Sequence, residues 1–274
     1  MLTKSWLYDS IIYIYTLSLL FSFSDAVSKS DGAKRMGAGL LIFVWILQTV
    51  FICIRIYEHR YVPVLTRFET LFFFSWLLVT VSLVASRFIQ MQFVVFFVNV
   101  VAFTVLVLNL LTDPGVASVQ FEASGELSWL HVALALVSYA AFAVSAVLSS
   151  LYLFLYNRLK GKKWSQALRR MPSLESLEKY LITSALVGTP MLILSLSLGV
   201  VWLSIEYDVG ALFVDVKVYS TLIVLAMYGW LFILKMKYQS TGYRLASWNV
   251  FSFVVLLLNF AFSNNYSQIH QWFQ

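Results

Sequence analysis

The sequence predicts an all-α, polytopic integral membrane protein, a bundle of about eight transmembrane helices. Of its 274 residues, 61% are hydrophobic and only 12% are charged, whereas a soluble domain usually carries about 25% charged residues. This apolar excess is too large to be hidden in one soluble core. The apolar residues also fall into runs of about 20, the length at which a helix crosses a bilayer. A water-soluble enzyme is therefore excluded.

Eight such runs can be counted, and they leave little sequence for a separate soluble domain. Each must be a helix, because lipid offers no partner to an exposed backbone N–H, and no run alternates like a barrel strand. We expect one membrane domain over residues 1–274. The predicted spans are 6–24, 37–57, 68–86, 91–111, 128–156, 179–203, 214–234 and 243–263.

Each of the first four runs has its own features. The first is longer than the apolar region of a signal peptide, has only Lys4 before it and contains Asp9. The second contains Cys53, and because this is the single cysteine, a disulfide, a Cys-x-x-Cys redox pair and a cysteine zinc site are excluded. The third and fourth are joined by a short segment that begins at Arg87.

The fifth and sixth runs carry signals for close helix packing. Ala141, Ser145 and Ser149 repeat every four residues, the small-xxx-small spacing that lets helices approach closely in lipid. His131 and Ser138 fall on the same face at 100° per residue. Residues 195 and 199 give the sixth run a similar surface. We therefore expect these two helices near the centre of the bundle. The seventh and eighth spans follow them along the chain.

The distribution of Lys and Arg predicts the orientation in the cell membrane. Fourteen of the nineteen lie in the segments 25–36, 87–90, 157–179 and 235–244, and cytoplasmic loops are normally enriched in these residues. Both termini are thus expected outside. The net charge of +6 then reflects topology rather than a nucleic-acid partner. Three outer arginines, at 55, 60 and 67, are an exception to the rule and are either snorkelling anchors or functional groups.

No motif of a soluble enzyme is present. The sequence contains no HExxH, and no serine has a histidine and a carboxylate nearby. The stretch Gly32-Ala-Lys-Arg-Met-Gly37 lacks the spacing of a phosphate loop and is expected to be a short loop. We therefore predict no catalytic residues.

The three histidines are the candidate metal ligands. His59, His131 and His270 all fall on the outer side of the predicted topology. Histidine is the side chain here that suits haem iron in the absence of a cysteine ligand. Ordinary hydrogen bonding at the interface is the alternative role for each of them.

Five segments, in the same order, resemble motifs of the CcsA/CcmC-type cytochrome c assembly proteins. They are the segment 63–76 (PVLTRFETLFFFSW), Trp129-Leu-His131 followed by Ser138-Tyr139, Gly199-Val-Val-Trp202, Asp215-Val-Lys217 followed by Tyr219, and Asn264-Asn265 followed by His270.

This resemblance implies a b-type, non-covalently bound haem as cofactor. The family binds haem through two outer histidines flanking a tryptophan-rich loop, which correspond to His131 and His270, with His59 as the alternative ligand. The other implied site residues are ring contacts and propionate partners: Trp129, Trp202, Tyr207, Phe213 and Asp215, with Arg60, Arg67 and Lys217 as the cations.

The loop between Trp202 and Asp215 departs from the family pattern, since it has few aromatic residues, and Lys235 replaces an in-membrane histidine. These features resemble a short, eight-span branch of the family, associated with haem biosynthesis, that lowers the level of glutamyl-tRNA reductase. The resemblance implies a regulatory role and a cytoplasmic partner in that pathway. The alternatives are haem delivery in cytochrome c maturation and a transporter unrelated to haem.

Overall fold

The computed structural model describes residues 2–28, 30–59, 62–64, 66–88, 92–111, 126–162, 168, 171–206 and 216–266. Within these ranges the chain is helical and contains no strand, which confirms the predicted fold class. The helices are α1 (Leu2–Ser28), α2 (Asp31–His59), α3 (Arg67–Phe88), α4 (Gln92–Asn109), α5 (Glu126–Lys160), α6 (Leu174–Glu206), α7 (Val216–Met236) and α8 (Gly242–Tyr266).

Each predicted apolar run falls on one of these helices, and each helix is long and apolar enough to cross a membrane. The stretch from Gly32 to Gly37, expected to be a loop, is instead part of α2. That prediction was wrong because a helix continues past the apolar core into the interface, where polar residues are equally compatible with it. Gly37 lies against α1: its carbonyl accepts from Ser18 Oγ at 2.9 Å, and a Cβ there would stand 2.9 Å from Ser22 Oγ.

The helices form two compact units, the first containing α1–α4 and the second α5–α8. Whether they act as a single membrane domain, as the sequence suggests, stays a prediction.

Buried polar groups in the first unit are mostly bonded between helices. Tyr8 Oη donates to Leu106 O at 2.7 Å, and Tyr15 Oη donates to Asn99 Oδ1 at 2.8 Å, so both residues tie α1 to α4. Asn109 Nδ2 donates to Phe68 O at 3.0 Å and ties α4 to α3. Because lipid cannot satisfy these groups, such pairs are the expected way to bury them.

A capping box starts α3. The Thr66 hydroxyl accepts from the Glu69 N–H at 3.2 Å, and the Glu69 carboxylate accepts from the Thr66 N–H at 3.4 Å. This reciprocal pairing satisfies two of the N–H groups that a helix leaves open at its start. The Thr-x-x-Glu spacing inside segment 63–76 therefore has a structural role in addition to its place in the family resemblance.

The small-residue face of α5 carries a polar bridge to α6 and α8. Asn249 Nδ2 of α8 donates to Ser145 Oγ and Ser149 Oγ, each at 2.7 Å. Ser145 Oγ in turn donates to Leu181 O of α6 at 2.7 Å. Ser145, Ser149 and Asn249 are fully buried. The predicted close packing on this face is thus confirmed, and it is fastened by hydrogen bonds as well as by small side chains.

An aromatic stack lies beside that bridge. Phe142 and Tyr228 stack with ring centroids 3.7 Å apart, and a Cβ on Gly188 of α6 would be 2.8 Å from the Phe142 ring. Helix α6 runs through Pro190 without a break. The Gly188–Pro190 stretch therefore lets an aromatic ring approach α6 and does not divide the helix into two.

Candidate functional site

His131 is held against α6 at the end of the second unit where α5 begins, which we call the histidine end. Its Nδ1 lies 2.6 Å from the backbone oxygen of Ser195. A carbonyl oxygen can only accept, so Nδ1 carries a proton and donates. In the neutral ring this assigns the lone pair to Nε2, the nitrogen that a metal would take.

Ser195 holds the histidine at a second point. Its hydroxyl donates to the backbone oxygen of His131 at 2.9 Å and lies 3.2 Å from Nδ1. Ser195 is 1% exposed, so these bonds are shielded from competing solvent. The two residues therefore clamp α5 to α6 and fix the imidazole orientation, the role that outer hydrogen bonds play around metal-binding histidines.

Gly199, one turn further along α6, makes room for the imidazole. A Cβ on this residue would stand 2.7 Å from His131 Cε1 and 2.8 Å from Nδ1, closer than any real side chain could pack. The glycine of the Gly199-Val-Val-Trp202 motif is thus required by the ring. The small-residue spacing of α6 predicted a close helix contact, but it gave no indication that a histidine is the partner.

Other predicted site residues lie on the helices of the same unit. Trp129 and Trp202 are half-buried on α5 and α6, and Tyr139 meets Phe260 edge to face. At the start of α7, the Lys217 carbonyl accepts from Thr221 Oγ1 at 2.7 Å. Both tryptophans and Lys217 therefore belong to the same unit as His131, and their sharing a site with it stays a prediction.

The structure does not test the placement of most of the other predicted site residues. Tyr207, Phe213, Asp215, Arg60 and His270 lie outside the described residues, as does the side chain of His59. Arg67 is exposed at the start of α3, in the first unit. The pairing of His131 with His270 therefore stays a prediction.

Arg55 is buried, in contrast to Arg67. It is 6% exposed, and its guanidinium lies 5.8 Å from the Phe51 ring centroid and 5.6 Å from that of Phe68. A snorkelling anchor would keep its charge in the interface, so Arg55 is instead part of the interior of the first unit, stabilised by cation–π contacts.

The donor set at the histidine end fits haem better than a bare metal ion. The described residues contain no group of three or more His, Cys, Asp or Glu that could hold a metal. Haem iron takes four nitrogens from its porphyrin and needs only one or two from the protein. A single oriented histidine, such as His131 bonded to Ser195, meets that smaller requirement.

A family model described as "Cytochrome C assembly protein" matches residues 64–270 of the chain. The match covers the segments in which the motif resemblance was found, and it includes both His131 and residue 270.

Three relatives point to the same family. The chain is 39% identical to "Protein HemX" of Brevibacillus brevis over 97% of its length and 98% of that protein. It is 36% identical to "Protein HemX" of Bacillus subtilis over 97% and 96%. A "Cytochrome c biogenesis protein CcsA" of Synechocystis is 28% identical over 53% of this chain and 45% of that protein. The expected branch of the family is confirmed.

Proposed function

Because the chain belongs to the cytochrome c assembly protein family, we propose that it is a HemX-like membrane protein that binds haem and has a regulatory role in haem biosynthesis. The observation that carries the haem proposal is the pairing of His131 Nδ1 with Ser195 O at 2.6 Å. In this tautomer Nε2 is the ring nitrogen that would hold the haem iron. We propose no catalytic residue and no enzymatic activity.

In this proposal each residue has a distinct task. His131 coordinates the iron, Ser195 holds the imidazole in one tautomer, and Gly199 leaves the space that the ring occupies. A bound haem would supply one-electron redox chemistry. Trp129 and Trp202 contact the porphyrin, and His270 is proposed as the second ligand.

The predicted site residues also suggest how the haem propionates are paired and how the haem is attached. Lys217 is proposed to pair with a haem propionate, as are Arg60 and Arg67. Tyr207, Phe213 and Asp215 are proposed to complete the haem contacts from the segment after α6. The single cysteine leaves no Cys-x-x-Cys-His attachment motif, so the haem is proposed to be b-type and non-covalent.

The regulatory part of the proposal rests on the two relatives named HemX. The sequence resemblance links this branch to the level of glutamyl-tRNA reductase. The segment 157–179 holds seven basic residues, of which Arg158, Lys160 and Lys162 are exposed at the end of α5. In the proposed cell-membrane topology it faces the cytoplasm and offers an acidic partner of that pathway a docking surface.

Substitution of that segment tests the regulatory role. Neutralising Lys160, Lys162, Lys163, Arg169 and Arg170 is expected to raise reductase abundance in cells while leaving the haem spectrum of the purified protein unchanged. If reductase abundance does not change in a correctly inserted variant, these residues are orientation anchors only.

Haem delivery during cytochrome c maturation is the second candidate, favoured by the partial similarity to a CcsA protein. The sparse aromatic content of residues 203–214 argues against it, because a delivery platform presents haem on a broad aromatic surface. For a haem-unrelated transporter, paired broken helices would be typical, whereas α6 is continuous through Pro190.

The visible absorption spectrum of the purified full-length protein tests haem binding directly. We expect a Soret band with reducible α and β bands. His131→Ala is expected to abolish the low-spin spectrum, and His270→Ala to make it high-spin or abolish it, whereas His59→Ala leaves it intact. Unchanged spectra for both of the first two variants would rule out the two-histidine site and make His59 the next candidate.

A further inference from the structure

Three buried polar atoms at the centre of the second unit have no hydrogen-bond partner among the described residues: Ser138 Oγ, Tyr228 Oη and Asn249 Oδ1. All three residues are fully buried. We propose that the second unit holds internal water molecules that bond these groups between α5, α7 and α8.

The three groups belong to one region of the unit. Ser138 lies one turn from Phe142 on α5, and Phe142 stacks on Tyr228 of α7. Asn249 of α8 bonds Ser145 and Ser149, which lie two and three turns beyond Ser138 on the same helix. A stretch of about 16 Å along α5 therefore spans all three positions at the usual rise per residue.

Ser138 does not use the ordinary solution for a hydroxyl in an apolar helix. Ser149, Thr189 and Ser197 each donate to the carbonyl four residues earlier at 2.8–2.9 Å. Tyr15, the fully buried tyrosine of the first unit, donates to Asn99. Ser138 and Tyr228 make no such bond within the described chain, so both hydroxyls are buried without the bond that these comparable groups make.

Water fits this role better than any larger ligand. It donates and accepts, so one kind of molecule can serve two hydroxyls and an amide oxygen. Soluble proteins bury about one water per 27 residues, and such waters bond polar groups that lack protein partners. Lipid can satisfy none of the three groups.

Radiolytic hydroxyl labelling of the full-length protein in detergent tests the proposal, because radicals form from water that is bound next to a buried side chain. Tyr15 is the matched control, since it is equally buried but bonded to protein. We expect Tyr228 to be oxidised faster than Tyr15. Equal rates would overturn the proposal.

Two conservative variants give a second measurement. If water bonds these hydroxyls, Tyr228→Phe and Ser138→Ala each remove a hydrogen bond and should lower the melting temperature by about 2–4 °C. If the hydroxyls are bare, the same variants remove an unsatisfied polar group and the melting temperature rises. A rise in both variants would overturn the proposal.

Discussion

The imidazole of His131 occupies the space where a side chain on Gly199 would be, with Cε1 only 2.7 Å from the position of a Cβ there. One turn earlier on the same helix, the Ser195 backbone oxygen accepts a hydrogen bond from the Nδ1–H group. Two consecutive turns of α6 therefore define both the position and the tautomer of the candidate ligand.

Gly199→Ala is expected to displace the His131 ring and reduce haem occupancy. The added methyl cannot fit beside the imidazole, and inserting a methyl group into a packed site typically costs about 1–3 kcal/mol. The visible spectrum per mole of protein measures occupancy. Gly229→Ala on α7 is the matched control, because a Cβ there meets nothing within 4 Å. Full haem occupancy in the Gly199 variant would contradict the assigned contact.

Ser195→Ala is expected to have a smaller effect. The backbone oxygen that accepts from Nδ1 remains, while the hydrogen bond from the hydroxyl to His131 O is lost. This loss should lower the free energy of unfolding by about 1 kcal/mol. We expect a lower melting temperature and a haem spectrum that is retained but broadened. Ser197→Ala is the control, since that exposed hydroxyl bonds only within its own helix. A Ser195 variant as stable as the Ser197 variant would show that the clamp contributes little.

More of the fold than of the candidate site could be predicted from the sequence. The length of an apolar run translates directly into a spanning helix, so all eight helices were recognisable. The face of α5 that packs inward was recognisable too, because small residues repeat on it. Which residue lies opposite Gly199 was not, since a helical wheel gives a face but not the partner across the interface.

Arg55 in the first unit also shows that the sequence does not give a residue's partners on neighbouring helices. Hydropathy places an arginine near the end of a span, but whether its charge reaches the interface depends on neighbouring helices. Here the ring of Phe68, from α3, covers it together with Phe51 from its own helix. The capping role of Thr66 and Glu69, in contrast, can be predicted from the Thr-x-x-Glu spacing.

Asn249→Ala is expected to loosen the bridge that joins α5, α6 and α8. The variant loses the two hydrogen bonds to Ser145 and Ser149 and leaves a small cavity. Together these changes should lower the free energy of unfolding by about 1–3 kcal/mol. Thermal unfolding in detergent measures the change. Ser247→Ala, which removes an exposed hydroxyl bonded to its own helix, should have almost no effect. Equal melting temperatures for the two variants would contradict the bridge.

The ion pair between Lys235 and Glu178 is expected to matter less than the glycine beside it. Both side chains retain exposure, 45% and 22%, and such pairs contribute at most about 1 kcal/mol. Lys235→Met should therefore be nearly neutral in thermal unfolding. Gly242→Ala should be clearly destabilising, because its Cβ would collide with Tyr152 Oη and the Glu178 carboxylate. The reverse order of effects would show that charge, rather than close packing, holds this end together.

The topology predicted from the Lys and Arg distribution can be tested with engineered cysteines, because the chain has a single native one. In a Cys53→Ser background, Ser165→Cys lies in the most basic segment and Ser118→Cys in a segment without Lys or Arg. A membrane-impermeant maleimide added to intact cells should label position 118 and leave position 165 unlabelled until the membrane is opened. This pattern would place the start of α5, and with it His131, on the outer side. The opposite pattern would put His131 in the cytoplasmic half of the membrane, and the proposed outer haem site would have to be abandoned.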